Sequence, residues 1–149
     1  MVATKPRKAT AEARFRSAEE LREILDAMMA AVDADPEAGP RLRAGAAPLR
    51  FDFPDLHLAL NVRKAARGLE WDFAPRASTT PKLRLRMDSA VANRVLQGRE
   101  NPAIAIARGR LKTKVGDAGA ALCFFGTAKP LFARYREIVV EQYPHLAIG

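Results

Sequence analysis

Residues 83–117 read LRLRMDSAVANRVLQGRENPAIAIARGRLKTKVGD, and the hydrophobic period changes repeatedly along them. Over Lys82 to Met87, Leu83, Leu85 and Met87 alternate with Lys82, Arg84 and Arg86, the period of two that marks a strand with one apolar face. Asp88 or Ser89 then caps a short helix whose stripe is Val91, Val95 and Leu96, and Gly98 ends it. Asn101 caps a second helix, with Pro102 at its first position and Gly109 just past its end. Period two returns over Arg110 to Val115, with Leu111, Thr113 and Val115 opposite Arg110, Lys112 and Lys114. The stretch therefore predicts strand, two short helices, strand.

Upstream the same alternation recurs. Leu49, Phe51 and Phe53 share a face against Arg50 and Asp52. Leu56, Leu58, Leu60 and Val62 alternate with His57, Ala59, Asn61 and Arg63, and Leu69, Trp71 and Phe73 with Glu70 and Asp72. The turn Lys64 to Gly68 makes the last two a hairpin, and Ala74 to Pro81 leads across to the fourth strand. Before the strands, Ser17 and Glu20 form a capping box. Leu21, Ile24, Leu25, Met28, Met29 and Val32 follow it as an amphipathic helix that Pro36 stops. The breakers Pro36, Gly39, Pro40, Gly45 and Pro48 predict a loop from Asp35 to Pro48. Downstream, helices are expected over about Asp117 to Phe125 and Ala128 to Gln142. The order is α-β-β-β-β-α-α-β-α: an α+β fold with a single five-stranded sheet covered on one face by helices. Residues 1–16 hold Lys5, Arg7, Lys8, Arg14 and Arg16 against Glu12 and read as a basic disordered arm before a single domain at 17–149.

The chain has 149 residues, 48% of them apolar, and a net charge of +8. That composition supports a packed core, and no apolar run approaches the roughly 20 residues of a membrane span. The one cysteine, Cys123, excludes an internal disulfide and a Cys-based zinc site, and points to a reducing, cytoplasmic setting. Among Ala120, Ala121, Leu122 and Phe124 it reads as a buried, inert thiol. Two histidines leave little for proton transfer. Asp55 and His57 lie two apart, but Pro54 interrupts the strand and no third partner is evident. His145, near the chain end, reads as solvated. Phosphate-cradling glycine motifs are missing from the sequence. The expectation is a binding protein with no catalytic residues, metal or cofactor.

Two features suggest partners. Lys82, Arg84, Arg86, Arg110, Lys112 and Lys114 put six cations on one face of the fourth and fifth strands. They are either solvated or aimed at a polyanion, an anionic membrane surface included. A helix–glycine–helix outline spans Ser89 to Gly109, but Ala103-Ile104-Ala105-Ile106-Ala107 offers no base-edge donor before Arg108, which argues against nucleic acid. The C-terminal helices carry Leu122, Phe124, Phe125, Leu131, Phe132, Tyr135, Ile138, Val139 and Tyr143, more bulk than one helix can lay on one sheet. These either fill a core or line a cavity.

Residues 83–121 also resemble the sterol-carrier-protein family, the nonspecific lipid-transfer domain. The matching residues are Met87-Asp88-Ser89, Val95-Leu96-Gln97-Gly98-Arg99, Asn101-Pro102, Ile104, Ile106, Gly109-Arg110-Leu111-Lys112 and Gly116-Asp117. The upstream order of one helix and three strands agrees with the family's fold. Arg108 departs from the family's frequent Gln, Val115 is an extra residue before Gly116, and the tail from Pro130 is longer than a minimal carrier. The resemblance implies an apolar tunnel between sheet and helices holding an acyl lipid, a sterol or an isoprenoid quinone. Burying a CH₂ gains about 0.8 kcal/mol in a protein as in a bilayer, so such a ligand can exchange between the two without covalent chemistry. The lining candidates are Phe51, Phe53, Leu58, Leu60, Trp71, Leu85, Met87, Val95, Ile104, Leu111, Leu122, Phe125, Phe132 and Tyr135. The competing expectation is a basic adaptor that uses the cationic strand face for nucleic acid or a protein. A third is a subunit or regulator of an enzyme whose activity lies in another chain.

Overall fold

The computed structural model describes residues 14–45 and 47–149. Helix α1 (Ala18–Ala34) starts as its capping box requires: the Ser17 hydroxyl accepts from the Glu20 amide at 3.2 Å. The Glu20 carboxylate reaches back to the Arg16 amide at 2.9 Å. The α1 stripe from Leu21 to Val32 is buried as expected. The segment expected to be a loop instead holds helix α2 (Ala38–Gly45). Asp35 nucleates it by accepting from the amides of Glu37 and Ala38 at 2.8 and 3.0 Å. Pro40 is tolerated because a first-turn amide has no intrahelical acceptor to lose. Gly39 allows α2 to press on α1, since a Cβ there would lie 3.0 Å from the Val32 carbonyl oxygen.

The strands are β1 (Leu49–Phe53), β2 (Leu58–Lys64), β3 (Leu69–Asp72), β4 (Leu83–Met87) and β5 (Leu111–Val115). They form one sheet in the order β3-β2-β1-β4-β5. The β1–β4 pair is parallel and the rest are antiparallel. A one-turn 3₁₀ helix at Pro54–Leu56 and a left-handed His57 (φ 50°) make the β1–β2 corner, so β2 begins two residues later than the alternation suggested. Helices α3 (Ser89–Leu96) and α4 (Pro102–Ala107) separate β4 from β5. The chain ends with α5 (Ala118–Thr127), α6 (Lys129–Gln142) and a 3₁₀ turn at Pro144–Leu146.

The β4–β5 register shifts between Arg84 and Leu85, where Arg84 pairs with Val115 and Leu85 with Thr113. This bulge turns Val115 outward, against its expected inward position, and it is 36% exposed. Inner-face residues Leu49, Phe51, Phe53, Leu60, Val62, Leu85 and Leu111 are buried under the helices. The outer face is only partly wet. Arg50, 8% exposed, crosses it and donates to the Pro75 carbonyl at 2.7 Å, while Asn61 donates to the Ala74 carbonyl at 2.9 Å. Those two side chains tie down the β3–β4 connection. Of the basic arm, residues 1–13 lie outside the described residues, while Phe15 packs against the core.

Candidate functional site

Between the sheet and the helices lies a wholly apolar cavity. Its walls are Leu25 and Met28 of α1, Phe51 and Phe53 of β1, Met87 of β4, Ala92, Val95 and Leu96 of α3, Phe125 of α5 and Leu131 of α6. Each element contributes by its own periodicity: alternate residues of β1, and the i, i+3 pair of α1. With no polar side chain in its wall, the cavity can reward only burial of apolar surface. Its volume is about 10 Å³. That is about the room of one water molecule, so the open tunnel implied by the resemblance is closed in this structure. A lipid would have to part the side chains that now fill the space.

The expected lining residues divide accordingly. Phe51, Phe53, Met87, Val95 and Phe125 reach the cavity. Leu60, Leu85, Leu111 and Tyr135 are buried in the surrounding core. Leu58, Trp71 and Phe132 are partly buried at its margins, where the Trp71 indole donates to Asp26 at 2.8 Å. Ile104 and Leu122, expected inside, are 48% and 41% exposed. Leu25, Met28, Leu96 and Leu131 belong to apolar stripes legible in the sequence, but nothing in those stripes marks them as lining. Ala92 carries no signal beyond being small.

Two kinds of contact surround this cavity. On the α3–α6 side, Asn93 and Gln97 organise a buried polar seam. Asn93 donates to the Leu146 carbonyl at 3.0 Å, and Gln97 donates to that carbonyl at 2.8 Å. The Asn93 side-chain oxygen accepts from the Tyr135 hydroxyl and from Gln97, each at 2.7 Å. Arg136 donates to Gln97 Oε1 at 2.8 Å and to the Ile148 carbonyl at 2.9 Å. The last residues are thereby held down. His145, expected to be solvated, sits 2.9 Å from Glu20. Burial, then the nearby Glu20 charge, pushes the Tyr135 phenol far above its ordinary range.

On the α5 side the ties are aromatic. Phe124 lies 5.7 Å from Phe51 and 5.2 Å from Phe125, which lies 5.7 Å from the partly buried Phe132. The only side-chain hydrogen bonds of α5 among the described residues are its own: Asp117 caps Ala120, and Thr127 donates to the Cys123 carbonyl. Only Ala121, Phe124 and Phe125 of this helix are buried. Cys123 is exposed, contrary to expectation, because it sits on the outer side of the helix.

The six expected surface cations are not equivalent. Arg84 donates to Asp52 at 2.6 Å, and the same carboxylate accepts from Arg50 at 2.9 Å. Arg110 lies outside β5 and donates to Glu100 at 2.8 Å, as Arg94 does. Burial raises the Glu100 carboxyl, but the two guanidinium partners outweigh it and hold the group below its usual range. Lys82, Arg86, Lys112 and Lys114 are exposed, and Arg86 faces Lys112 across the ladder. The groove of about 530 Å³ on this outer face is lined by Arg50, Asp52, Arg84 and Arg86 beside Phe53, Leu58 and Phe73, so it is open and mixed, half charged and half apolar. Asp55 and His57 do not form a pair. Both Asp55 oxygens are taken by Ser89, its amide at 2.9 Å and its hydroxyl at 2.6 Å, so Asp55 supplies the cap of α3 that was expected from Asp88 or Ser89. Among the described residues no His, Cys, Asp or Glu cluster could hold a metal ion. Nor is any described helix long and apolar enough to cross a membrane.

The SCP-2 sterol transfer family matches residues 25–129, and the chain belongs to that family. A crystal structure of sterol carrier protein 2 superposes with a TM-score of 0.55 at 19% identity, covering 77% of this chain and 95% of that one. A conserved hypothetical protein of Thermus thermophilus, described as possibly a sterol carrier protein, gives 0.54 at 18% identity over 85% and 90%. A structure described as UbiJ-SCP2, a ubiquinone synthesis protein, gives 0.55 at 15% identity over 79% and 96%. At such identities the superpositions establish a shared fold. Among curated proteins none matches this chain.

Proposed function

We propose that this SCP-2 family chain is a non-catalytic lipid carrier that takes the apolar part of its ligand into the cavity between β1, β4 and the helices. The observation that carries the reading is the cavity wall, in which ten side chains from six elements converge without one polar group. Such a wall rewards chain length and tolerates variety, as transfer of an unreactive lipid requires. The close packing fits exchange: aromatic side chains fill the space, and an entering acyl, sterol-like or isoprenoid chain would replace their contacts with its own. Transfer then means sequestration and release, with every covalent bond intact.

Native mass spectrometry of the purified protein, followed by organic extraction and lipid mass analysis, tests this. A stoichiometric lipid adduct is expected, and its mass distinguishes acyl lipid from sterol-like or quinone ligands. A clean ligand-free mass that persists after incubation with acyl lipids and quinones contradicts the carrier reading.

One observation favours the adaptor alternative: Arg86 faces Lys112 across the ladder with no acid ion-paired to either among the described residues. Reversing both charges should abolish polyanion binding under that reading and leave lipid capacity intact under the first.

A further inference from the structure

The outer-face groove of about 530 Å³ lies between the β1–β2 corner, the β3–β4 connection and β4, on the side of the sheet away from the apolar cavity. Ala59, paired with Asp52 across the β1–β2 ladder, lines it with a side chain too short to fill it. One wall is pinned by a buried cation: Arg50 donates to the Pro75 carbonyl and to Asn61, each at 2.7 Å, and to Asp52 at 2.9 Å. Arg22 lies over the Phe73 ring, 5.1 Å from its centre. Pro54, Phe73 and Pro75 thus offer stiff, flat apolar surfaces. The facing wall is charged. Arg84 meets Asp52 through Nε at 2.6 Å, and none of its hydrogen bonds among the described residues uses a terminal nitrogen. Arg86 is exposed, stands opposite Lys112, and has no ion-pair or hydrogen-bond partner among the described residues. Asp55, the other acid at the corner, turns both oxygens to Ser89. Three arginines against one carboxylate leave the lining with an excess of positive charge.

We propose that this groove is a second ligand site, for a small organic anion that carries a carboxylate or phosphate on a flat apolar ring. The site is separate from the carrier cavity and does not depend on that reading. Charge selects an anion, and guanidinium forks match the paired oxygens of carboxylate and phosphate. Arg84 and Arg86, two apart on one face of β4, are placed to share one such group. Like charges directly opposite in a ladder are destabilising, so an anion beside Arg86 also relieves its repulsion with Lys112. The other half of the groove sets the rest of the ligand. Pro54, Phe73 and Pro75 suit a planar ring, whereas a flexible polyanion would leave them uncovered. The volume falls within the range of about 300–1,000 Å³ usual for small-molecule sites.

Titration calorimetry and amide-resolved NMR with naphthyl phosphate, naphthoate, neutral naphthol and inorganic phosphate test this. At least one of the two naphthyl anions should bind and shift the amides of residues 52–59, 73–75 and 84–86, and the tighter of them names the oxyanion. Naphthol and inorganic phosphate should each bind roughly tenfold more weakly or worse. Arg86→Gln, at an exposed position, should weaken the naphthyl anion about tenfold with unchanged thermal unfolding. Arg86→Lys should recover only part of the loss, because it keeps the charge without the fork. Amide shifts confined to α1, α5 and α6 would put the probe in the apolar cavity and overturn the proposal. So would equal binding of inorganic phosphate, which means an adventitious ion only, equal binding of naphthol, or an Arg86→Gln variant that binds like the parent. Failure of both naphthyl anions would overturn it as well, and an oligonucleotide that then binds through Arg86 would assign the groove to a polyanion. Lipid adducts in native mass spectra should be the same for the parent and Arg86→Gln, so the carrier reading and this one fall separately.

Discussion

Two sides of the same cavity are held shut by different chemistry. The α3–α6 side is a hydrogen-bonded seam in which Asn93, Gln97, Tyr135 and Arg136 tie two helices to the last residues of the chain. The α5 side is held by Phe124 and Phe125 against Phe51 and Phe132, with no side-chain hydrogen bond to another element among the described residues. Opening a buried polar seam strands donors and acceptors, at about 1–3 kcal/mol for each. Parting aromatic contacts costs only what an incoming hydrocarbon restores. On the proposed carrier function, a cavity that must open to be filled should open on the α5 side, with the polar seam keeping the rest of the fold in register.

Substitutions on the two sides should separate stability from uptake. Phe125→Ala should have the largest effect, lowering the unfolding free energy by about 4 kcal/mol. It should also enlarge the cavity, so that saturating acyl lipid restores part of the loss in a denaturation experiment. Equal loss of stability and lipid uptake would reduce Phe125 to plain core packing. Asn93→Ala should cost about 3 kcal/mol, because the Tyr135 hydroxyl and Gln97 lose their acceptor. Lipid affinity per folded molecule should be unchanged; an altered affinity would break the division between the two sides.

Tyr135→Phe should cost about 1 kcal/mol, since Asn93 Oδ1 keeps its bond from Gln97. It should also change the alkaline limb. The folded phenol is raised by burial and by Glu20, so the contribution is fully present below the ordinary phenol value of about 10 and is lost as pH rises beyond it. The Phe variant should show a flatter stability profile above that pH, in urea unfolding across alkaline buffers. On the inner sheet face beside Leu85, the Thr113 hydroxyl is buried without a hydrogen-bond partner. Thr113→Val should raise stability by about 1 kcal/mol. A loss instead would reveal a polar tie on the side of the fold described as purely apolar.

Much of the frame was legible. Alternation placed the inner faces of the strands, and the Ser17–Glu20 box and the Asn101-Pro102 pair placed two helix starts. What the sequence concealed depended on long-range partners. Prolines and glycines disguised α2, which packs so closely on α1 that a Cβ at Gly39 would lie 3.0 Å from the Val32 carbonyl oxygen. Asp55 reads beside His57 in the sequence, yet its partner, Ser89, lies 34 residues away. The bulge that turns Val115 outward belongs to the β4–β5 ladder, and its one local trace is the extra residue before Gly116. The candidate cavity was half legible, since apolar periodicity marks what is buried but not which buried residues border a gap. Cys123 and Leu122 were misplaced because an uncharged helix reads as interior, whereas α5 buries only one face.

The central claim is that the cavity opens beneath α5 while the Asn93–Gln97 seam stays closed. Amide hydrogen exchange read by mass spectrometry, with and without a soluble acyl lipid, tests it directly. Without lipid, residues 118–127 should exchange faster than residues 89–96 and 129–142, and lipid should slow exchange chiefly in 118–127. Equal protection of all three helices, with the lipid-dependent change falling on residues 89–96 or 129–142, would contradict it.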